Sequence, residues 1–134
     1  MTLKPALALL GPLFLWPCVA LADPCEAPLP KPGTVFTGEV RYVGDGDSLC
    51  VGHTDDPAEW IEVRLADFFA PELSEPGGEQ AKGALEDLAW GAPLRCVADH
   101  RSYDRTVARC TLGGASVGAL MRRRGIAEGG RGRR

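Results

Sequence analysis

Between residues 35 and 112 short runs that alternate apolar and polar residues are closed by Gly, Pro or Asp turns, and a helical period interrupts them once. The clearest run is 61–65, where Ile61, Val63 and Leu65 face one way and Glu62 and Arg64 the other. A period of two places successive side chains on opposite faces of an extended strand. Val35 to Val43 has the same character, with Val40 and Tyr42 set against Glu39 and Arg41. Gly44 to Gly46 then makes a turn, and Ser48 to Val51 starts the return strand, a hairpin pattern. Leu94 to Asp99 and Thr106 to Leu112 predict a second hairpin, with its turn near Arg101 to Asp104.

Ala81, Ala84, Leu85, Leu88 and Ala89 recur at helical spacing and predict a helix ending near Gly91. Val117, Leu120 and Met121 mark a short final helix stopped by Gly125. The order is three strands, helix, two strands, helix. That order predicts an α+β, mainly β fold. It is a five-stranded OB-type barrel with one helix between strands three and four and a short C-terminal helix.

The chain has 134 residues, enough for one domain, expected to be monomeric. Residues 1–22 read as a signal peptide: Lys4 is the positive start, Ala6 to Trp16 the apolar stretch, and Ala20-Leu21-Ala22 the small-residue cleavage site. The apolar run is too short and proline-interrupted to span a bilayer. Bulky residues before Cys18 argue against a lipid anchor. The mature chain is expected to begin near Asp23, exported to periplasm or medium, with no membrane anchor left. A proline-rich leader follows at 23–34, then a domain at 35–127 and a basic Gly/Arg tail at 128–134.

Cleavage would leave Cys25, Cys50, Cys96 and Cys110, and an even number in an exported chain favours disulfides. Three pairings are formally possible. Proximity favours Cys96 with Cys110, which flank the second hairpin, leaving Cys25 to reach Cys50. No close C-x-x-C spacing supports zinc. The net charge of −3 argues against a broad nucleic-acid coat. Arg122, Arg123 and Arg124, with Arg131, Arg133 and Arg134, read as a solvated helix end and a loose tail.

Three motifs carry chemistry. Asp45-Gly46-Asp47-Ser48-Leu49 puts two carboxylates at a turn. Arg64-Leu65-Ala66-Asp67-Phe68-Phe69-Ala70-Pro71-Glu72 puts an arginine in mid-strand and a glutamate past the strand end. Tyr103-Asp104-Arg105-Thr106-Val107-Ala108 adds an arginine at the head of another strand. Carboxylate oxygens are hard ligands for a divalent cation, and a guanidinium matches two phosphate oxygens. Taken singly, Asp45 and Asp47 are turn formers and the arginines surface charges. Together they suit a cation held beside a phosphate. His53 and His100 earn no role, and Trp60 and Trp90 are expected to pack rather than to stack on bases.

In the order and spacing of these motifs, followed by Arg124-Gly125-Ile126-Ala127, the chain resembles the thermonuclease (staphylococcal nuclease-like) family from about Thr37 to Ala127. The resemblance implies calcium-dependent hydrolysis of DNA or RNA phosphodiesters on a barrel surface. It leaves a 3′-phosphate and shows little base preference. It implies that Asp47 ligates calcium together with the Ala70 backbone carbonyl, and that Asp45 supports the turn and the outer shell. Arg64 would bind the scissile phosphate, Glu72 position or deprotonate the attacking water, and Arg105 stabilise the transition state. The chain departs from the family at Phe69, where a second metal-binding aspartate is expected. It also departs at Asp104, where the family has glycine, and at Glu128-Gly129-Gly130-Arg131, where a further helix is expected. Asp67, two residues before Phe69 and about 6.5 Å away in an extended strand, is too distant to replace the lost ligand. A catalytically impaired barrel that binds nucleic acid or a protein is the alternative reading.

Overall fold

A computed structural model describes residues 11–15 and 23–129. The cleavage site at 20–22 and the arginines of the tail beyond 129 lie outside the described residues. The alternating runs form strands: β1 at Val35–Val43, β2 at Ser48–Gly52 and β3 at Ile61–Leu65. Helix α1 spans Gly78–Ala89 and is followed by β4 at Pro93–Ser102 and β5 at Arg105–Leu112. A two-residue strand, β6 at Ala115–Ser116, was not foreseen and leads directly into α2 at Val117–Arg123. The described chain therefore has six strands and two short helices, a mainly antiparallel α+β arrangement.

The strands pair in the order β3-β2-β1-β4-β5-β6, and β3 also pairs in parallel with β5. That parallel pair sets Arg64 level with Val107 and Val63 level with Thr106. Strand β2 is buried along its whole length. It pairs with β1 on one side and β3 on the other. Between β4 and β5, Ser102 pairs with Arg105, so Tyr103 and Asp104 form the two-residue turn. Tyr103 takes a φ of +56°, the left-handed value that primed hairpin turns require.

Leu49, Val51, Val63, Leu65 and Leu94 from the strands meet Phe68, Leu85 and Met121 in one core. Ala81, Leu85 and Ala89 lie one helical turn apart and form the buried stripe of α1. Gly91, with φ +71°, follows the C-cap residue Trp90 and ends the helix as its position in the sequence predicts. Trp90 itself is 58% exposed and packs less than expected. Trp60 is half-buried, and its indole N–H donates to the Thr54 carbonyl at 2.7 Å.

Cys96 and Cys110 face each other across the β4–β5 ladder and are bonded, as are Cys25 and Cys50. The second disulfide fastens the leader to β2. The Glu26 and Ala27 amides then donate to the carbonyls of Pro57 and Trp60 at 3.0 and 2.9 Å. The proline-rich segment is thus docked on the sheet rather than hanging from it. In the chain-entropy account each such loop closure contributes about 3 kcal/mol.

Candidate phosphate and metal site

The site is built on the turn between β1 and β2. Asp45 Oδ1 accepts the Asp47 N–H at 3.0 Å and the Ser48 hydroxyl at 2.8 Å, an Asx-type turn closed by its own side chain. Gly46 is required there by space. An added Cβ would lie 2.5 Å from the Ala81 Cβ and 2.6 Å from the Ala70 Cβ. The turn is therefore wedged between α1 and the segment that follows β3.

Asp47 is 6% exposed, and its Oδ2 accepts the Ala70 N–H at 3.0 Å. The same oxygen lies 3.8 Å from Arg64 Nη2, and the Arg64 guanidinium carbon sits 5.2 Å from the centre of the Phe69 ring. A guanidinium over an aromatic face is attracted to its negative quadrupole, so Phe69 holds Arg64 in place beside Asp47. Burial, and then the neighbouring Asp45 carboxylate, push Asp47 up to about 7, with the Ala70 N–H and Arg64 opposing. Asp45 is also buried, which disfavours its charge. Its hydrogen bonds with Asp47 and Ser48 and the nearby Arg105 outweigh that and hold it below the ordinary value. Two carboxylates share one turn, and one of them is left short of positive charge.

Arg105, at the head of β5, is half-buried and acts electrostatically on both Asp45 and Glu62. The first three predicted motifs thus converge: Asp45, Asp47, Arg64 and Arg105 come together. Glu72 is exposed and makes no hydrogen bond or ion pair with any described residue. Its backbone is held more firmly. The Glu72 carbonyl accepts the Glu75 N–H at 2.9 Å and lies against Gly78, where an added Cβ would come within 2.0 Å of it.

Asp67 is engaged away from the Asp45–Asp47 turn. Its Oδ2 accepts the hydroxyl of Ser116, the N-cap of α2, while Oδ1 is buried without a partner. Phe69 is gripped through its backbone: its N–H donates to Glu128 Oε1 at 3.1 Å and its carbonyl accepts the Gly129 N–H at 2.9 Å. Arg122 in turn donates to both Glu128 oxygens at 3.1 Å and to the Asp67 carbonyl. Sequence reasoning did not find Glu128 in this role. A contact across 59 positions leaves no local signal.

A calcium ion takes about six to eight oxygens. Asp45 Oδ1 and Asp47 Oδ2 accept hydrogen bonds from the turn and from Ala70, and the two carboxyls are also hydrogen-bonded to each other. Residue 69 supplies a phenyl ring instead of a third carboxylate, and no group of three or more His, Cys, Asp or Glu among the described residues could enclose a metal. The turn therefore offers two carboxylates rather than a closed cage for a cation. A separate cleft of about 440 Å³ between β1, β4 and Gly113–Gly114 contains none of these residues. No model of a known protein family matches the chain, and no curated protein matches it.

Proposed function

We propose that the chain is an exported nuclease of the thermonuclease type, hydrolysing phosphodiester bonds of DNA or RNA with calcium. The observation that carries the reading is the convergence of the turn acids Asp45 and Asp47 with Arg64 and Arg105, three separate motifs, at one turn of the sheet. The β3–β5 pairing supports the finer reading of the five longer strands as an OB-type barrel, because it gives each of them two neighbours. Two disulfides support export, and no helix among the described residues is long and apolar enough to cross a membrane.

In this reading Asp47 and the Ala70 carbonyl hold the calcium, with Asp45 bracing the turn. When bound, the ion supplies positive charge to the phosphoryl oxygens and lowers the pKa of nearby water. Arg64 leaves its resting place on Asp47 and Phe69 to take two oxygens of the scissile phosphate. Arg105 faces the charge that builds on the pentacoordinate phosphorus. Glu72, free of partners and exposed, is placed to accept a proton from the attacking water.

Phe69 favours a second reading, a barrel that binds nucleic acid without cutting it. The variant Phe69→Asp separates the two. The nuclease reading expects the natural chain to cleave single-stranded DNA, and Phe69→Asp to lower the calcium concentration needed by about tenfold or more. The binding reading expects the natural chain to retain an oligonucleotide without cleavage, and Phe69→Asp to create activity.

A further inference from the structure

On the far side of Arg105 lies a cavity of about 550 Å³ lined by Asp23, Glu26, Glu62, Arg101 and Asp104, with residues 27–29. Glu62 of β3 is only 8% exposed, and its side chain is hydrogen-bonded to the Asp23 carboxyl rather than to a cationic group. Burial, then the charges of Asp104 and Asp23, push its carboxyl up to about 7, and Arg105 alone opposes them. A nearly buried carboxylate facing two more acids is short of positive charge, since an uncompensated buried charge is costly.

The segment beside Glu62 is firmly placed. Cys25 is bonded to Cys50, and the next two amides, of Glu26 and Ala27, are hydrogen-bonded. The Asp23 carboxylate packs so closely on Gly44 that a Cβ there would lie 2.9 Å from it. Residue 23 therefore lies against both the β1–β2 turn and the cavity. While Ala22 precedes it, its backbone nitrogen is a neutral amide. Once that bond is cut, the nitrogen is an α-ammonium with an ordinary pKa of about 7.7–8.0.

Resting on the export reading, we propose that removal of residues 1–22 adds a cation to this acid-rich cavity, the α-ammonium of Asp23, which settles against Glu62 and Asp104. Water adds across the Ala22–Asp23 peptide bond under a leader peptidase. The leader departs with the new carboxylate, and the amine retained on Asp23 takes up a proton. The cleavage that frees the chain thereby adds positive charge beside its buried acids. Arg101 and Arg105 are the competing cations, Asp23 and Glu26 the further acids, at the same cavity.

The test is the intact mass of the exported protein, followed by acylation of its α-amine at neutral pH. The expected mass is that of a chain starting at Asp23. Its amine should acylate slowly, about tenfold slower for each pKa unit gained from the ion pair. Glu62→Gln and Asp104→Asn should each restore faster acylation. Asp104 sits in an exposed turn, so Asp104→Asn decides the matter if Glu62→Gln does not fold. A mature chain starting at another residue overturns the proposal, as does an α-amine that acylates equally fast in the natural chain and in Asp104→Asn. Neither readout involves DNA hydrolysis, so failure here is distinct from failure of the nuclease reading.

Discussion

Asp47 binds the Ala70 amide, faces Arg64 and shares a turn with Asp45, and these contacts set its pH behaviour. Its carboxyl titrates near 7 in the folded chain and near 3.8 as an isolated group. Between those values the folded state keeps a proton that the unfolded state has released. Stability therefore falls as pH rises from about 4 to about 7 and levels off above. Denaturant unfolding across that range in a chelating buffer should show the slope, and Asp47→Asn should flatten it. Glu62 adds a slope of the same sign wherever the residue 23 amine is blocked. At this scale the sequence was informative about identity and silent about partnership. Asp45, Asp47, Arg64 and Arg105 were legible because turn and strand patterns fix their positions. The Arg64–Phe69 stack and the acids gathered around Glu62 were not, because a two-residue period says which face a side chain takes and nothing of what stands opposite.

The segment between β3 and α1 is the element on which the site depends most. It carries Phe69, Ala70 and Glu72, and it has no regular structure of its own. Four devices hold it instead: the Ala70 amide on Asp47, the Phe69 backbone on Glu128 and Gly129, Asp67 on Ser116, and the Glu72 carbonyl on Gly78. Gly78→Ala should expose this dependence. Its Cβ would lie 2.0 Å from the Glu72 carbonyl, so the loop must move. A loss of about 1–3 kcal/mol is expected, read by thermal unfolding, along with a fall in hydrolysis beyond what stability explains. The strands and α1 were predictable to within a few residues, since their periods are strong. The short β6 and the role of residues 128–129 were not, since two residues carry no period and long-range pairing leaves none.

For the molecule as a whole, a thin core is braced by covalent and edge-to-edge connections. The parallel β3–β5 pair joins strands far apart in sequence and brings Arg64 and Arg105 to one end of the sheet. That pairing was implied only by the predicted strand order. Helix α1 and the docked leader cover what the sheet leaves open, and the Cys25–Cys50 disulfide secures the leader. On this scaffold the acids and arginines are fixed, while Glu72 alone reaches freely into solvent. The most direct measurement is therefore hydrolysis of single-stranded DNA by the purified, oxidised chain beginning at Asp23, first with calcium and then with chelator. The natural chain and Glu72→Gln should be compared. The account predicts calcium-dependent cleavage that chelator abolishes and that Glu72→Gln lowers about a hundredfold or more, with thermal unfolding unchanged. A folded chain that cleaves nothing, or cleavage that survives both chelator and Glu72→Gln, would contradict it.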